Sequence, residues 1–327
     1  RKYLYMSLGG SAFAFIGLVI LIHQTGQAEF VSGGIYDNAL DTTGLVAYLL
    51  TFLGFGVKSA VFPLHIWLPA ASVAPTPVTA LLHAVAVVKS GVFAIIRVTY
   101  YCYGVEAIRG TWAQYTALII AIITIVYGSA MALRERHFKR RLAYSTVSNI
   151  SYIVFGAMLL SEAGLAAALM HFLFHSVTKI AAFMNAGAVI ETTEREYIFR
   201  LDGLGRKMPV TFGCFTVSAL SLTGIPLFCG FFSKWNLCTA ALADGGAYGI
   251  VGVAALLISA LFTAIYMFSI VIRAFFRQGE DLEDVHEANW RMSWIALPLA
   301  LFMALAFILM PQLSQYFNSI ASAAFAA

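Results

Sequence analysis

Four lysines and three histidines stand where an apolar chain should carry none. Lys58, Lys89, Lys179 and Lys234, with His83, His171 and His175, fall inside apolar runs, whereas all sixteen carboxylates fall in polar segments or at the ends of runs. A charged lysine at the middle of a bilayer costs roughly 2.5–3.5 kcal/mol. Long side chains near a span end can reach the interface, but these four lie well inside their runs, so the charge points to a use. His171, His175 and Lys179 recur at i, i+4 and i+8, which places successive members on one helix face about 6 Å apart along the axis. Imidazole titrates near neutrality and both donates and accepts. A buried ammonium gives up its proton more readily and holds it again when a carboxylate approaches. The chemistry that follows is proton transfer.

Other basic residues are less telling. His83 and Lys89 are six residues apart, about 120° around one helix, and address two different neighbours, Lys58 being a candidate for one. His65 is as consistent with a hydrogen-bonding loop residue as with a relay, and Arg97 lies near a span end, where it snorkels. No carboxylate of this chain reaches mid-membrane to pair with Lys58, which predicts a partner acid on helices outside it.

The elements that must position these groups are membrane helices. Of 327 residues, 61% are hydrophobic and 11% charged, with mean hydropathy +0.84. Soluble domains are nearer a quarter charged, so the composition predicts an all-α polytopic bundle, residues 1–327 forming one membrane domain of about nine spans of ~20 residues. Apolar runs fall at 3–23, 44–66, 77–101, 113–133, 141–160, 164–190, 209–242, 247–277 and 292–310. The net charge of +4 is no sign of a nucleic-acid partner, because the basic residues form short clusters between runs. Four cysteines without metal-ligand spacing predict no metal and no cofactor. The absence of HExxH, GxSxG or an aspartate pair within the runs argues against a membrane hydrolase. The chain starts at Arg1 rather than Met, which suggests that residues precede it. Its first run is too long for a signal peptide and lacks a cleavage site.

Charge sets the expected orientation. Alternate segments hold Arg134, Arg136, Lys139, Arg140 and Arg141, then Arg195, Arg200, Arg206 and Lys207, then Arg273, Arg277 and Arg291. The opposite segments hold Arg109 alone among Glu29, Asp37, Asp41, Glu106, Glu162 and Asp244. Lys and Arg mark the cytoplasmic side, which puts the N-terminus inside and the C-terminus outside, in a membrane such as a bacterial plasma membrane. Two runs look broken, the second at Pro63 and Pro69, the seventh at Gly224, Pro226 and Gly230. Such breaks free backbone groups that lipid cannot satisfy, and they belong where protein or a wet cavity surrounds them. Each has a lysine within a few residues. The two runs cross in opposite senses, the pattern of an inverted-repeat transporter.

Specific motifs accompany this pattern. Lys58-Ser-Ala-Val-Phe-Pro-Leu-His-Ile-Trp-Leu-Pro69, Ala74-Pro-Thr-Pro-Val-Thr-Ala-Leu-Leu-His83, Lys139-Arg-Arg-Leu-Ala-Tyr-Ser-Thr-Val-Ser-Asn-Ile-Ser-Tyr152, His171 through Lys179, and Gly224-Ile-Pro to Gly230-Phe-Phe-Ser-Lys234 run in order through nearly the whole chain. Together they resemble the antiporter-like subunits of respiratory complex I, of Mrp-type sodium/proton antiporters and of membrane-bound hydrogenases. The resemblance implies fourteen helices with two inverted five-helix repeats, each containing one discontinuous helix. This chain would supply the sixth to fourteenth: residues 1–101 the remainder of the first repeat, 113–277 the second, and 290–327 a terminal helix. It further implies that Lys58 pumps in the first half-channel, that Lys179 with His171 and His175 links along the axis, and that Lys234 serves the second half-channel. Lys89 and His83 match positions that some relatives use, and Lys139 is counted with the relay.

The family's glutamate partner for Lys58 lies on a helix preceding this chain. Ala70, and His137 two residues before Lys139, stand where many relatives carry Asp, which weakens the likeness at the inner face. The chain ends soon after its last run, which favours comparison with the medium-sized complex I subunits and the Mrp D-type. The function implied is translocation of protons, or of sodium against protons, by a non-redox subunit among other membrane subunits and lipid. The alternatives are an Mrp-type antiporter subunit without a redox partner and a membrane scaffold without transport.

Overall fold

The computed structural model describes residues 2–36 and 39–326. Asp37, which entered the charge reading, and Arg1 lie outside them. Among the described residues the regular structure is all helical, with one isolated bridge between His137 and Tyr197 and no strand.

The first helix, α1 (Lys2–Thr25), packs mainly along α2 (Thr42–Lys58) and leaves Leu4, Tyr5, Leu8 and Phe15 exposed. Asp41 starts α2 by accepting the Gly44 N–H at 2.7 Å. That hydrogen bond, from a donor the helix leaves unpaired, holds the Asp41 carboxyl below its ordinary range. After Lys58 the chain leaves the helix until the single turn α3 (Trp67–Ala70), so the expected break of the second run is present.

The third run departs from expectation. It is divided into α4 (Thr76–Ala84) and α5 (Val87–Val98), with Val85 and Ala86 between them in non-helical geometry, and it closes in a wide turn over Thr99–Tyr103. Neither glycine nor proline marks the interruption. The Val85 and Ala86 N–H groups both donate to Leu81 O, at 3.2 and 2.9 Å, and the regular ladder slips by one residue. This slip corrects the 120° relation expected for His83 and Lys89, which presumed one unbroken helix.

Beyond the turn α6 (Val105–Ile108), Thr111 opens α7 (Trp112–Arg134) and Ser161 opens α9 (Glu162–Thr193), each hydroxyl accepting the N–H three residues on. Between them α8 (Phe138–Met158) is buried over nearly its whole length. A short α10 (Leu204–Lys207) leads into the divided seventh run, α11 (Pro209–Thr223) and α12 (Cys229–Ala243), and then α13 (Ala247–Phe276). The last run extends well past 310: α14 (Trp290–Leu305), one tight turn, and α15 (Met310–Phe325). Among the described residues six helical stretches are long and apolar enough to cross a membrane, Thr76–Tyr103 and Trp290–Phe325 each taken as one. The second and seventh runs are divided, and α8 carries three basic residues, Lys139, Arg140 and Arg141, within its first turn.

Helix α9 is the hub. The helices α4, α8, α11, α12, α14 and α15 all pack against it. Its buried alanines (Ala166, Ala167, Ala168, Ala181, Ala182, Ala186), spread around the helix, let them approach closely, as small residues do where helices associate in lipid.

Candidate functional site

The site is clearest at the second break. Helix α11 ends where Gly224 takes φ +89°, a conformation that glycine adopts without strain. Gly224 and Ile225 N–H both return to Leu220 O at 3.1 Å, and the carbonyls of Leu222 and Thr223 remain free at the negative end of the helix. Lys234, one turn into α12, fills that role: its Nζ donates to Leu222 O and, at 3.2 Å, to Thr223 O. At Gly230 a side chain would collide with the Ser221 carbonyl, so glycine is what lets α12 close on α11. The Lys234 ammonium also lies 5.3 Å from the Tyr152 ring centre, and the residue is buried.

His171 on α9 faces the same place. Its Nδ1 lies 2.9 Å from Ser233 Oγ, and its ring stacks between Tyr152 (5.3 Å) and His175 (5.9 Å). His171 Nε2, both nitrogens of His175 and Asn149 Oδ1 are buried without a hydrogen-bond partner among the described residues. Buried polar atoms rarely go unpaired. These converge on an internal cavity of about 10 Å³ that Lys234 also lines, close to the space of a single water. Lys179, the third member of the row, is fully buried but turns to another helix, its Nζ donating to Leu142 O on α8 at 2.9 Å.

The first break is built differently. Its carbonyls are satisfied locally: Phe55 O by Ser59 N–H, Gly56 O by Val61 N–H, and Val57 O by the Trp67 indole at 2.6 Å. Lys58 is only half buried, and its amine donates to Tyr3 (3.0 Å) and Ser7 (3.2 Å) of α1. A small cleft between α1 and α2 opens beside it. Lys58 is therefore less enclosed than its place in the run suggested.

Lys89 does not turn to Lys58. It is buried on α5, donates to Phe172 O of α9 at 2.8 Å and lies 4.1 Å from the Phe172 ring centre. It thus meets α9 one residue from His171. His83 stacks on Phe183 of α9 and lies 3.4 Å from Ser72 Oγ. His65 packs on Phe62 and Tyr127. Lys139 holds the chain just before α4, donating to Ala74 O at 3.1 Å.

Among the described residues, no carboxylate lies within ion-pair distance of Lys58, Lys89, Lys139, Lys179 or Lys234; the ion pairs found involve Arg109, His137, Arg273 and Arg277. No group of three or more His, Cys, Asp or Glu gathers among them either.

Sequence reasoning missed a row of buried hydroxyls between α8 and α13. Tyr266 OH donates to Ser145 Oγ (2.7 Å) and Thr263 Oγ1 (3.2 Å), Ser148 and Ser259 hydroxyls meet at 2.9 Å, and Tyr152 OH reaches Leu256 O at 3.3 Å. The signal was present in Ser145, Ser148 and Tyr152, three to four residues apart on one face of α8. Their partners on α13 sit in a run that looks merely apolar.

The sequence profile described as NADH:quinone oxidoreductase/Mrp antiporter, TM, matches residues 1–263. A protein named NADH-quinone oxidoreductase subunit N, from Desulforudis audaxviator (strain MP104C), is 35% identical over 281 residues, covering 84% of this chain and 55% of its own. One named NADH-quinone oxidoreductase subunit L, from Mycobacterium tuberculosis (strain ATCC 25618 / H37Rv), is 35% identical over 304 residues, covering 92% and 47%. The chain spans about half the length of the curated relatives it matches, and equal identity to the two subunits singles out neither. Among solved structures, a chain of the Mrp complex from Dietzia sp. DQ12-45-1b superposes with TM-score 0.87 at 23% identity, over 99% of this chain and 69% of that one. A chain of the membrane-bound sulfane sulfur reductase, an archaeal respiratory membrane complex, gives TM-score 0.87 at 26% identity, over 99% and 65%. The shared fold, the ordered motifs and a profile that covers most of the sequence lead to one assignment: the chain belongs to the NADH:quinone oxidoreductase/Mrp antiporter membrane family.

Proposed function

We propose that this chain moves protons across a membrane along a row of buried amines and imidazoles, as a subunit of a larger ion-translocating complex. The observation that carries the reading is the surroundings of Lys234. A buried lysine is bonded to the free carbonyls of a broken helix, beside two histidines with unpaired nitrogens and with no carboxylate in ion-pair reach among the described residues. A primary amine there can hold or release a proton while keeping an N–H on the helix end, so charge changes without the helix losing its cap. His171 and His175 bridge from Lys234 towards Phe172, whose carbonyl Lys89 holds. The hydroxyls of Ser145, Ser148, Tyr152 and Tyr266 provide a polar path towards the arginine-rich end of α8.

In this reading Lys58 works against an acid from outside the chain, at the face of α1 and α2 where its amine is half exposed. The helices broken after Lys58 and after Thr223 belong to inverted repeats, 1–101 and 113–277, and the arginine-rich ends face the cytoplasm. Charge movement in a neighbouring subunit would load and unload the lysines, each pKa unit being worth about 1.4 kcal/mol.

The test is proton uptake by proteoliposomes that contain the assembled complex. Separate substitution of Lys58, Lys179 and Lys234 by Met should each lower uptake at least about tenfold, the lower range for loss of a proton-transfer group, with assembly unchanged. Normal uptake in all three would leave a scaffold as the better description. Uptake driven by a sodium gradient with no electron donor would identify an antiporter subunit.

A further inference from the structure

At the ends of α7 and α13 lies a second feature, separate from the lysine row. A cavity of about 440 Å³ opens between these helices and the segment after α9. Three arginines line it, Arg136, Arg141 and Arg273, together with the apolar Phe199 and Ile265, and its lining residues include no carboxylate. We propose that this cavity binds the phosphate of an anionic phospholipid.

The arginines divide the work. Arg141 is buried and built in: its guanidinium donates to Glu135 O, Tyr266 O and Ser269 Oγ, all neutral acceptors, at 2.8–3.0 Å. No acid forms an ion pair with it among the described residues, so its charge is left to act on the cavity. Arg273 is held by Asp202 at 3.0 Å through Nη1. Arg136 is exposed, and its side chain has no hydrogen bond among the described residues, which leaves a planar fork free for phosphate. Glu135 lies beside the cavity, but its carboxylate is engaged by the Arg136 and His137 N–H groups.

A free anion would need only the arginines; two observations point to a lipid. The site sits where the long apolar helices α7 and α13 reach their basic last turns. An exposed apolar track, Ile250, Leu257, Leu261 and Ile265, runs down α13 straight into it, with Ile119 and Ile123 exposed on neighbouring α7. An acyl chain lying on that track would bring its phosphate to Arg136. Basic pockets between membrane helices recognise anionic headgroups in this way.

The test uses the complex as purified, stripped with detergent and exposed to vesicles of equimolar phosphatidylglycerol and phosphatidylcholine. After repurification, retained lipid is quantified by mass spectrometry. The expected result is enrichment of phosphatidylglycerol, lowered about fivefold by Arg136→Gln, the effect of one basic group at a membrane surface, and restored by Arg136→Lys. Arg136 is exposed and its side chain packs into nothing essential, so the variant should assemble. Retention of the two lipids in the vesicle ratio overturns the proposal, as does an Arg136→Gln complex that retains phosphatidylglycerol like the wild type. Displacement of the lipid by about 10 mM inorganic phosphate also overturns it, since the weak binding of a free anion cannot match a headgroup anchored by its own acyl chains.

Discussion

At the breaks after α2 and after α11 an apolar helix ends on carbonyls that need partners from outside the helix, a proline follows within a few residues and a lysine stands close by, yet the two lysines do different things. After α2 the carbonyls are taken by Ser59, Val61 and the Trp67 indole, and the Lys58 amine is left to face α1. After α11 the carbonyls of Leu222 and Thr223 are taken by Lys234 itself. The first lysine is therefore separable from the helix end beside it, while the second is part of it. A charge change at Lys234 must be felt by the backbone of α11, whereas one at Lys58 is felt by whatever packs against α1.

The strongest way to break this comparison is to give Lys234 a side chain that caps but does not readily deprotonate. Lys234→Arg should keep the melting temperature near wild type and lower proton uptake at least about tenfold. Full uptake in that variant would reduce Lys234 to a helix cap. Crowding the second break should cost stability. Gly230→Leu drives a side chain into Ser221 O, and denaturant or thermal unfolding in detergent should show a loss of about 1–3 kcal/mol.

The comparison sharpens with a pair of truncations. Lys234→Ala orphans one buried and one partly buried carbonyl and should destabilise by roughly 1–3 kcal/mol, while Lys58→Ala removes bonds to two hydroxyls near the surface and should cost less than about 1 kcal/mol. Equal losses in unfolding experiments would mean that the two breaks are alike after all.

The smallest effect concerns the start of α8, where Lys139 grips the chain that follows the first break. His137 lies outside the spans, and burial holds its imidazole below the ordinary value, with Glu196 at 3.3 Å opposing that shift. The unfolded chain therefore binds the proton more tightly than the folded one. Stability from this group is intact above the ordinary histidine value of about 6.5 and is lost as pH falls through it towards the folded value. Melting temperature should decline between about pH 7 and 5 in the wild type, and more shallowly in His137→Asn; identical slopes would remove His137 from the account.

Much of the architecture was legible in the sequence because membrane helices announce themselves locally. Each run must satisfy its own backbone hydrogen bonds, so length, hydropathy and the glycines and prolines at Gly224, Pro226 and Pro63 place the helices and both main breaks without reference to neighbours. The interruption at Val85–Ala86 was not legible, since nothing in Ala-Val-Ala-Val forbids a helix; α4 packs on α9 while α5 packs on α2 and α8, and the two dockings pull the ladder out of step. The apolar run at 292–310 stops short of the helical end at Phe325, because α15 mixes polar residues with its apolar face.

Residue types and spacing alone determined that this chain holds lysines and histidines within apolar helices, and that His171, His175 and Lys179 share a face. Which atom each amine meets was decided only by the tertiary structure. A lysine's reach of several ångströms covers many acceptors, and the choice among Leu222, Phe172, Leu142 and Tyr3 depends on which helix lies opposite. Helical periodicity fixes direction within one element; the partner across the interface is set by packing between elements distant in sequence.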